Sequence, residues 1–191
     1  LKVVNALYVG KLTKMDAKDI QFKGAQMFKF KSKKTFLNLF IIGIIFIVDR
    51  IFKIYILKIA ELKGEVDIYI NSYLNFYLIW NKGIAFGFFS LEQNLLYHLI
   101  SFIILIICIV LAVMITKSNN MKKYCLILIL GGALGNLFDR IYYSAVPDFI
   151  DIHLNDFHWF IFNVADIFIT IGVICLILDE LFFYKKTDEI K

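Results

Sequence analysis

Four long apolar stretches govern what this 191-residue chain can become. They run over residues 36–57, 95–116, 124–143 and 159–184, each near the roughly 20 helical residues needed to cross a bilayer. The single proline, Pro147, lies between the third and the fourth, so nothing breaks a helix inside any of them. Lipid offers an unclosed backbone no other partners, so the stretches are expected to be membrane helices. With 60% of residues apolar and 19% charged, the chain departs from a soluble domain, which runs nearer half and a quarter. That excludes a water-soluble globular enzyme. Cys108, Cys125 and Cys175 all sit within apolar runs and read as small core residues, with neither a disulfide framework nor a CxxC metal pattern.

Lysine placement gives an orientation. Nine lysines precede the first stretch, against Asp16 and Asp19; Lys117, Lys122 and Lys123 fall between the second and third, and Lys185, Lys186 and Lys191 follow the fourth. The 144–158 loop holds no Lys or Arg, but carries Asp148, Asp151 and Asp156. The positive-inside rule then puts both termini in the cytoplasm and the 58–94 and 144–158 loops outside. The expected organisation is a basic cytoplasmic segment over 1–35, a four-helix membrane domain over 36–184 and a short tail over 185–191. Residues 1–26 are polar and lack the apolar core of a signal peptide, whereas Met27-Phe28-Lys29-Phe30-Lys31 opens like a basic start before a first span. Codons for Lys23-Gly24-Ala25 can be written as a ribosome-binding sequence. The expectation is that translation begins at Met27, which N-terminal sequencing of the native protein tests.

Ionisable side chains inside a span cost about 2.5–3.5 kcal/mol each on insertion and point by default to function. Asp49, Arg50 and Lys53 fall in the outer half of the first stretch. Asn136, Asp139 and Arg140 fall near the outer end of the third, and Asn163, Asp166 and Thr170 in the first turns of the fourth. Three helices therefore bring polar groups to one depth. Asn163, Asp166 and Thr170 share a helical face by their spacing, and Asp49 and Lys53 are four apart and able to pair. Gly131, Gly132 and Gly135 suit close helix packing.

A metal site is disfavoured. His153 and His158 are five apart in a loop with Asp151 and Asp156 near, but nothing in a span completes a ligand set. No Ser or Cys stands beside a His at that depth, which removes nucleophilic catalysis. Paired carboxylates remain: two forced close cannot both ionise easily, so one keeps a proton while the other acts as base toward water. Asp148, Asp166 and Asp139 are the candidates. A small ion carrier is the rival, but the polar groups cluster at one leaflet and do not thread the bilayer, and no inverted repeat is visible.

Five segments, in order, resemble lipoprotein signal peptidase (signal peptidase II), a family of bacterial intramembrane aspartyl proteases. They are Asp49-Arg50-Ile51-Phe52-Lys53, then Asn81-Lys82-Gly83-Ile84-Ala85-Phe86-Gly87, then Gly131 through Arg140, then Val146-Pro147-Asp148-Phe149-Ile150-Asp151, and Phe162-Asn163-Val164-Ala165-Asp166. The resemblance covers about residues 36 to 184. It implies a four-transmembrane-helix bundle with a small extracytoplasmic β cradle, for which the alternating Val66 to Ile70 run and the aromatic Tyr73 to Trp80 segment suit short strands. It assigns the catalytic dyad to Asp148 and Asp166, and gives Asp49, Lys53, Asn81, Gly83, Asn136, Asp139, Arg140 and Asn163 supporting or substrate-binding roles. Between Asp139 and Arg140 a structural ion pair is expected, and Tyr73, Phe76, Tyr77 and Trp80 are expected to form an interfacial belt. The implied activity removes the signal peptide of a prolipoprotein, cutting just before a cysteine that carries a diacylglyceryl group. The implied setting is the bacterial inner membrane with the site at its outer leaflet. No metal or other cofactor and no nucleic acid is expected, membrane lipid is, and the chain is expected to be a monomer. Two positions depart from the family pattern: Phe52, where it has Ser or Thr, and Pro147, where it has Val.

Overall fold

In a computed structural model, residues 17–83, 93–155 and 157–183 are described. The chain divides into two compact units, 1–40 and 41–191. Helix α1, Ala17–Lys63, begins in the first unit, where the rings of Phe36 and Phe40 stack 6.4 Å apart. The expected start at Met27 falls within this helix, and residues 1–16 and 184–191 lie outside the described ones.

The second unit combines the rest of α1 with strands β1 (Asp67–Asn71) and β2 (Leu74–Asn81) and helices α2 (Gln93–Lys117) and α3 (Asn120–Tyr143). Strands β3 (Val146–Leu154) and β4 (Phe157–Phe162) and helix α4 (Val164–Phe183) complete it. Helices take up the first three apolar runs and the fourth from Val164 on. By length and composition, α2 over Tyr97–Lys117 and α3 over Asn120–Tyr143 suffice to cross a membrane. The outward side chains of α2, among them Phe102, Ile106, Ile109 and Val113, are exposed, as a lipid-facing surface would be. Inside, Ile45 of α1, Leu111 and Ile115 of α2, and Leu126, Ile127, Leu130 and Leu137 of α3 form one core, with Phe168, Ile169 and Leu176 of α4 packed on it.

The glycines of α3 permit that packing. A Cβ at Gly131 would meet Ile45 Cγ2 at 2.8 Å, and one at Gly135 would meet Asp49 Oδ2 at 2.7 Å. Both therefore sit against α1, as close helix approach requires.

The sheet is antiparallel throughout, in the order β1-β2-β3-β4. Three expectations change here. The 144–158 segment is not a loop: β3 pairs with β2 across the intervening helices and turns back into β4 through Asn155, whose φ is 52°. The fourth helix starts at Val164 and not at Trp159, because 157–162 is strand. Phe76 is not part of an interfacial belt; it packs edge-on against the buried Phe149, 6.1 Å away, while Tyr73, Tyr77 and Trp80 stay exposed. Pro147 is thus in a strand. It pairs with Trp80, whereas β4 reaches only Ile150 to Leu154, so the proline lies where β3 has one neighbour. A second core of Ile56, Val66, Phe149 and Val164 ties the sheet to α1 and α4.

Candidate active site

The polar residues lie at the helix ends that feed the sheet. Asp49, Arg50 and Lys53 are on the later part of α1, Asn136 to Arg140 on the last turns of α3, and Asn163 and Asp166 at the start of α4. Asp148 comes from β3.

Asn163 joins the two candidate catalytic aspartates. Its Nδ2 donates to Asp148 Oδ1 at 2.6 Å. Its backbone N donates to Asp166 Oδ2 at 3.0 Å, and its Oδ1 accepts from Asp166 N at 3.2 Å. That exchange is a capping box on α4: Asn163 caps the helix and Asp166 reaches back to the cap. Local helix-starting chemistry therefore fixes Asp166, and the same cap reaches across to Asp148. The remaining oxygens are also held, Asp148 Oδ2 by Asn81 Nδ2 at 2.9 Å and Asp166 Oδ1 by Asn136 Nδ2 at 2.8 Å. Asn81 in turn accepts from Gly83 N at 2.7 Å, across a turn in which Gly83 has φ 75°.

Asp148 is 2% exposed. Burial is the main force raising its carboxyl from the usual 3.8 to about 6, and the charge of Asp166 adds to it. The amides of Asn163 and Asn81, and then Lys53, pull the other way. The result is a carboxyl that changes protonation near neutral pH, as acid–base work requires.

Beneath the pair lies a balanced ionic group. Lys53 Nζ reaches Asp139 Oδ2 at 2.6 Å, Asn136 Oδ1 at 2.9 Å and Asp49 Oδ2 at 3.0 Å, which uses all the donors of an ammonium. Arg50 Nη2 meets Asp49 Oδ2 at 2.9 Å, and Nη1 pairs with Asp139 Oδ1. Two cations thus face two carboxylates, with Asp49, Lys53 and Asp139 fully buried. Asp49 also accepts from Ala165 N at 2.9 Å, satisfying another amide of the α4 start.

The expected Asp49–Lys53 pair is present, and Asp49, Lys53, Asn81, Asn136, Asp139, Asp148, Asn163 and Asp166 form one connected network. Two points differ. Asp139 pairs with Lys53 and Arg50, not with Arg140, because successive helix residues point to different sides. Arg140 stands near Gly83, where a Cβ would lie 3.3 Å from its Nη1, and its Nε and Nη1 have no hydrogen-bond partner among the described residues. Arg50 joins the site as well, a role that the family resemblance does not assign to it; its place in the Asp49-to-Lys53 segment is the signal in the sequence. Phe52 faces outward and is 47% exposed, so its lost hydroxyl touches nothing in the network. Residues 84–87 of the second matching segment lie outside the described residues.

Beside Asp166, Phe160, Phe162, Ile167, Thr170 and Ile171 line an apolar groove of about 240 Å³.

Residues 41–182 match the model of the family described as signal peptidase (SPase) II. A lipoprotein signal peptidase of Pelagibacter ubique is 57% identical over 164 residues, 85% of this chain and 99% of that protein. One of Anaplasma phagocytophilum is 38% identical over 78% of this chain and 94% of its own length. A bacterial membrane enzyme solved by the in meso method at 1.9 Å superposes with a TM-score of 0.63 at 29% identity, over 76% of this chain and 93% of that one.

Proposed function

The chain belongs to the signal peptidase II family, and from that premise we propose that Asp148 and Asp166 are the catalytic pair of an aspartic endopeptidase. The protein is a membrane protease that removes signal peptides from prolipoproteins. The observation that carries the aspartic reading is Asn163, which binds both carboxylates at once from the α4 cap. In this reading the pair shares one proton. The ionised member takes a proton from a water whose oxygen attacks the scissile carbonyl, while the protonated member gives its proton to the carbonyl oxygen. As the diol collapses, the first member passes the water's proton to the leaving amine and the second takes its proton back. The two titrate as a pair. Asn81, Asn136 and Asn163 hold the carboxylates, and the ionic group behind them fixes α1, α3 and α4 around the site.

Four membrane-spanning helices with both termini cytoplasmic, and the sheet at the outer surface, follow from the lysine distribution. The substrate's cut falls just before its diacylglyceryl cysteine, and the groove beside Asp166 takes an apolar part of that substrate.

The test is a gel-shift cleavage assay on a diacylglyceryl-modified prolipoprotein in detergent. Asp148→Asn and Asp166→Asn are expected to lose about 10²–10⁴-fold or more in rate, with folded yield kept, while Asp139→Asn retains some cleavage. Activity in Asp148→Asn with none in Asp139→Asn would move the catalytic role to Asp139.

A further inference from the structure

The hairpin of β3 and β4 carries a second group of chemistry-bearing side chains. Folding changes what the sequence spacing suggested: His153 and His158, five apart, are direct cross-strand partners, and their rings stack with centroids 5.2 Å apart. His158 Nδ1 lies 2.9 Å from Asp151 Oδ2 and 3.0 Å from Oδ1, and His153 Nδ1 lies 3.6 Å from Oδ2. One donor atom from each of the three residues falls within 4.8 Å of the others.

Among the described residues, two buried polar atoms of this group are left without a partner. The His153 side chain is 10% exposed, yet its buried Nδ1 has no hydrogen-bond partner among the described residues. Asn75, paired with Asp151 across the sheet, likewise has a buried Oδ1 without a partner among them. Such atoms are costly in a folded protein unless something satisfies them. Asp67, Asn75, Tyr77, Asp151, His158 and Ile161 line an open cavity of about 410 Å³ at the same place. No Lys or Arg occurs in the four strands, so no side-chain cation of the sheet competes there.

We propose that Asp151, His153 and His158 bind a Zn²⁺ ion that clamps β3 to β4. Two imidazoles and one carboxylate are donors that zinc takes, with a fourth position left for water. A tetrahedral ion with ligands about 2.0–2.2 Å away sets its donors about 3.3–3.5 Å apart. The distances of 2.9 and 3.6 Å from Asp151 Oδ2 to the two Nδ1 atoms bracket that separation, so small side-chain adjustments suffice. The bound water would have Asn75 Oδ1 within the same cavity as an acceptor. None of the three donors hydrogen-bonds to Asp148 or Asp166, and the site does not depend on the peptidase reading.

The experiment uses the full-length, tag-free protein in detergent, stripped with a chelator and titrated with Zn²⁺ against a coloured zinc indicator. Wild type is expected to take one ion per chain, to gain thermal stability with Zn²⁺ but not Mg²⁺, and to show visible d–d absorption with Co²⁺. His153→Gln and His158→Gln are expected to weaken zinc binding about tenfold or more and to lose the thermal gain. His158 is 55% exposed, so that variant tests the site even if His153→Gln folds poorly. His98→Gln on α2 and Asp148→Asn keep the binding. No uptake by wild type, or equal uptake by both His→Gln variants, overturns the proposal and leaves the cleavage assay untouched.

Discussion

Asn163 does three things with one side chain and one amide: it caps α4, fixes Asp166 and donates to Asp148. Replacing it with leucine keeps the branched heavy-atom skeleton and removes the side-chain bonds. Cleavage is expected to fall about 10²-fold, the loss typical for one preorganised donor, measured as initial rate with folded yield as control. Asn81→Leu is narrower, because it removes only one of the two amides that hold the Asp148 carboxyl down. The limb of the pH–rate profile governed by Asp148 is then expected to move to higher pH. An unmoved limb would mean that Asp148 does not control it. The same carboxyl bears on stability. Its folded value of about 6 lies above the ordinary 3.8, so its neutral form is favoured by folding. That contribution is complete below 3.8 and is lost as pH rises through 6, up to about 3 kcal/mol. The stability of Asp148→Asn relative to wild type is therefore expected to rise by about that amount between pH 4 and pH 8, followed by thermal unfolding. From the sequence, Asp148 and Asp166 are readable through the family resemblance, and Asp166 also as an ionisable group within an apolar run. Asn163's cap was not, because the apolar run from Trp159 was read as helix and so placed Asn163 inside it.

Helices and strands differed in how far they could be read, for one physical reason. Long apolar runs fix helices, whose ends are blurred, but a short run of similar composition serves equally as a buried strand. Val146, Pro147, Asp148 and Phe149 are all buried, so β3 lacks the alternation that marks a half-exposed strand. Its proline and acids then read as loop. Register, not composition, brings His153 opposite His158 and Asp148 opposite Ile79. The small-residue run on α3 was legible, and its packing makes a sharp prediction. Gly135→Ala puts a Cβ 2.7 Å from Asp49 Oδ2, so about 1–3 kcal/mol of stability should be lost. Gly43→Ala on α1 meets nothing within 4 Å and replaces a poor helix former, so it should be neutral or stabilising by about 0.5–1 kcal/mol. Melting temperatures of the two variants in one detergent decide between packing and mere helix propensity.

Across the whole molecule, the ionisable groups scattered over three apolar runs of the sequence come together where α1, α3 and α4 meet the sheet. Which charge faces which was beyond the sequence, since Asp139 is separated from Lys53 by 86 positions and pairing depends on helix rotation. The arrangement that results is neutral only as a set. Lys53 and Arg50 balance Asp49 and Asp139, and removing one member strands a buried charge. Lys53→Met is therefore expected to cost about 3–5 kcal/mol, as for a broken buried pair, and to lower cleavage because Asn136 loses the group that holds it against Asp166. Lys53→Met combined with Asp139→Asn restores the balance of charge. If net neutrality is what the group supplies, the double variant should be more stable than Lys53→Met alone, seen as a higher melting temperature, while cleavage stays low for want of the Lys53–Asn136 bond. If the double variant is instead the less stable, the individual hydrogen bonds of Asp139, and not charge balance, hold the helices together at this level.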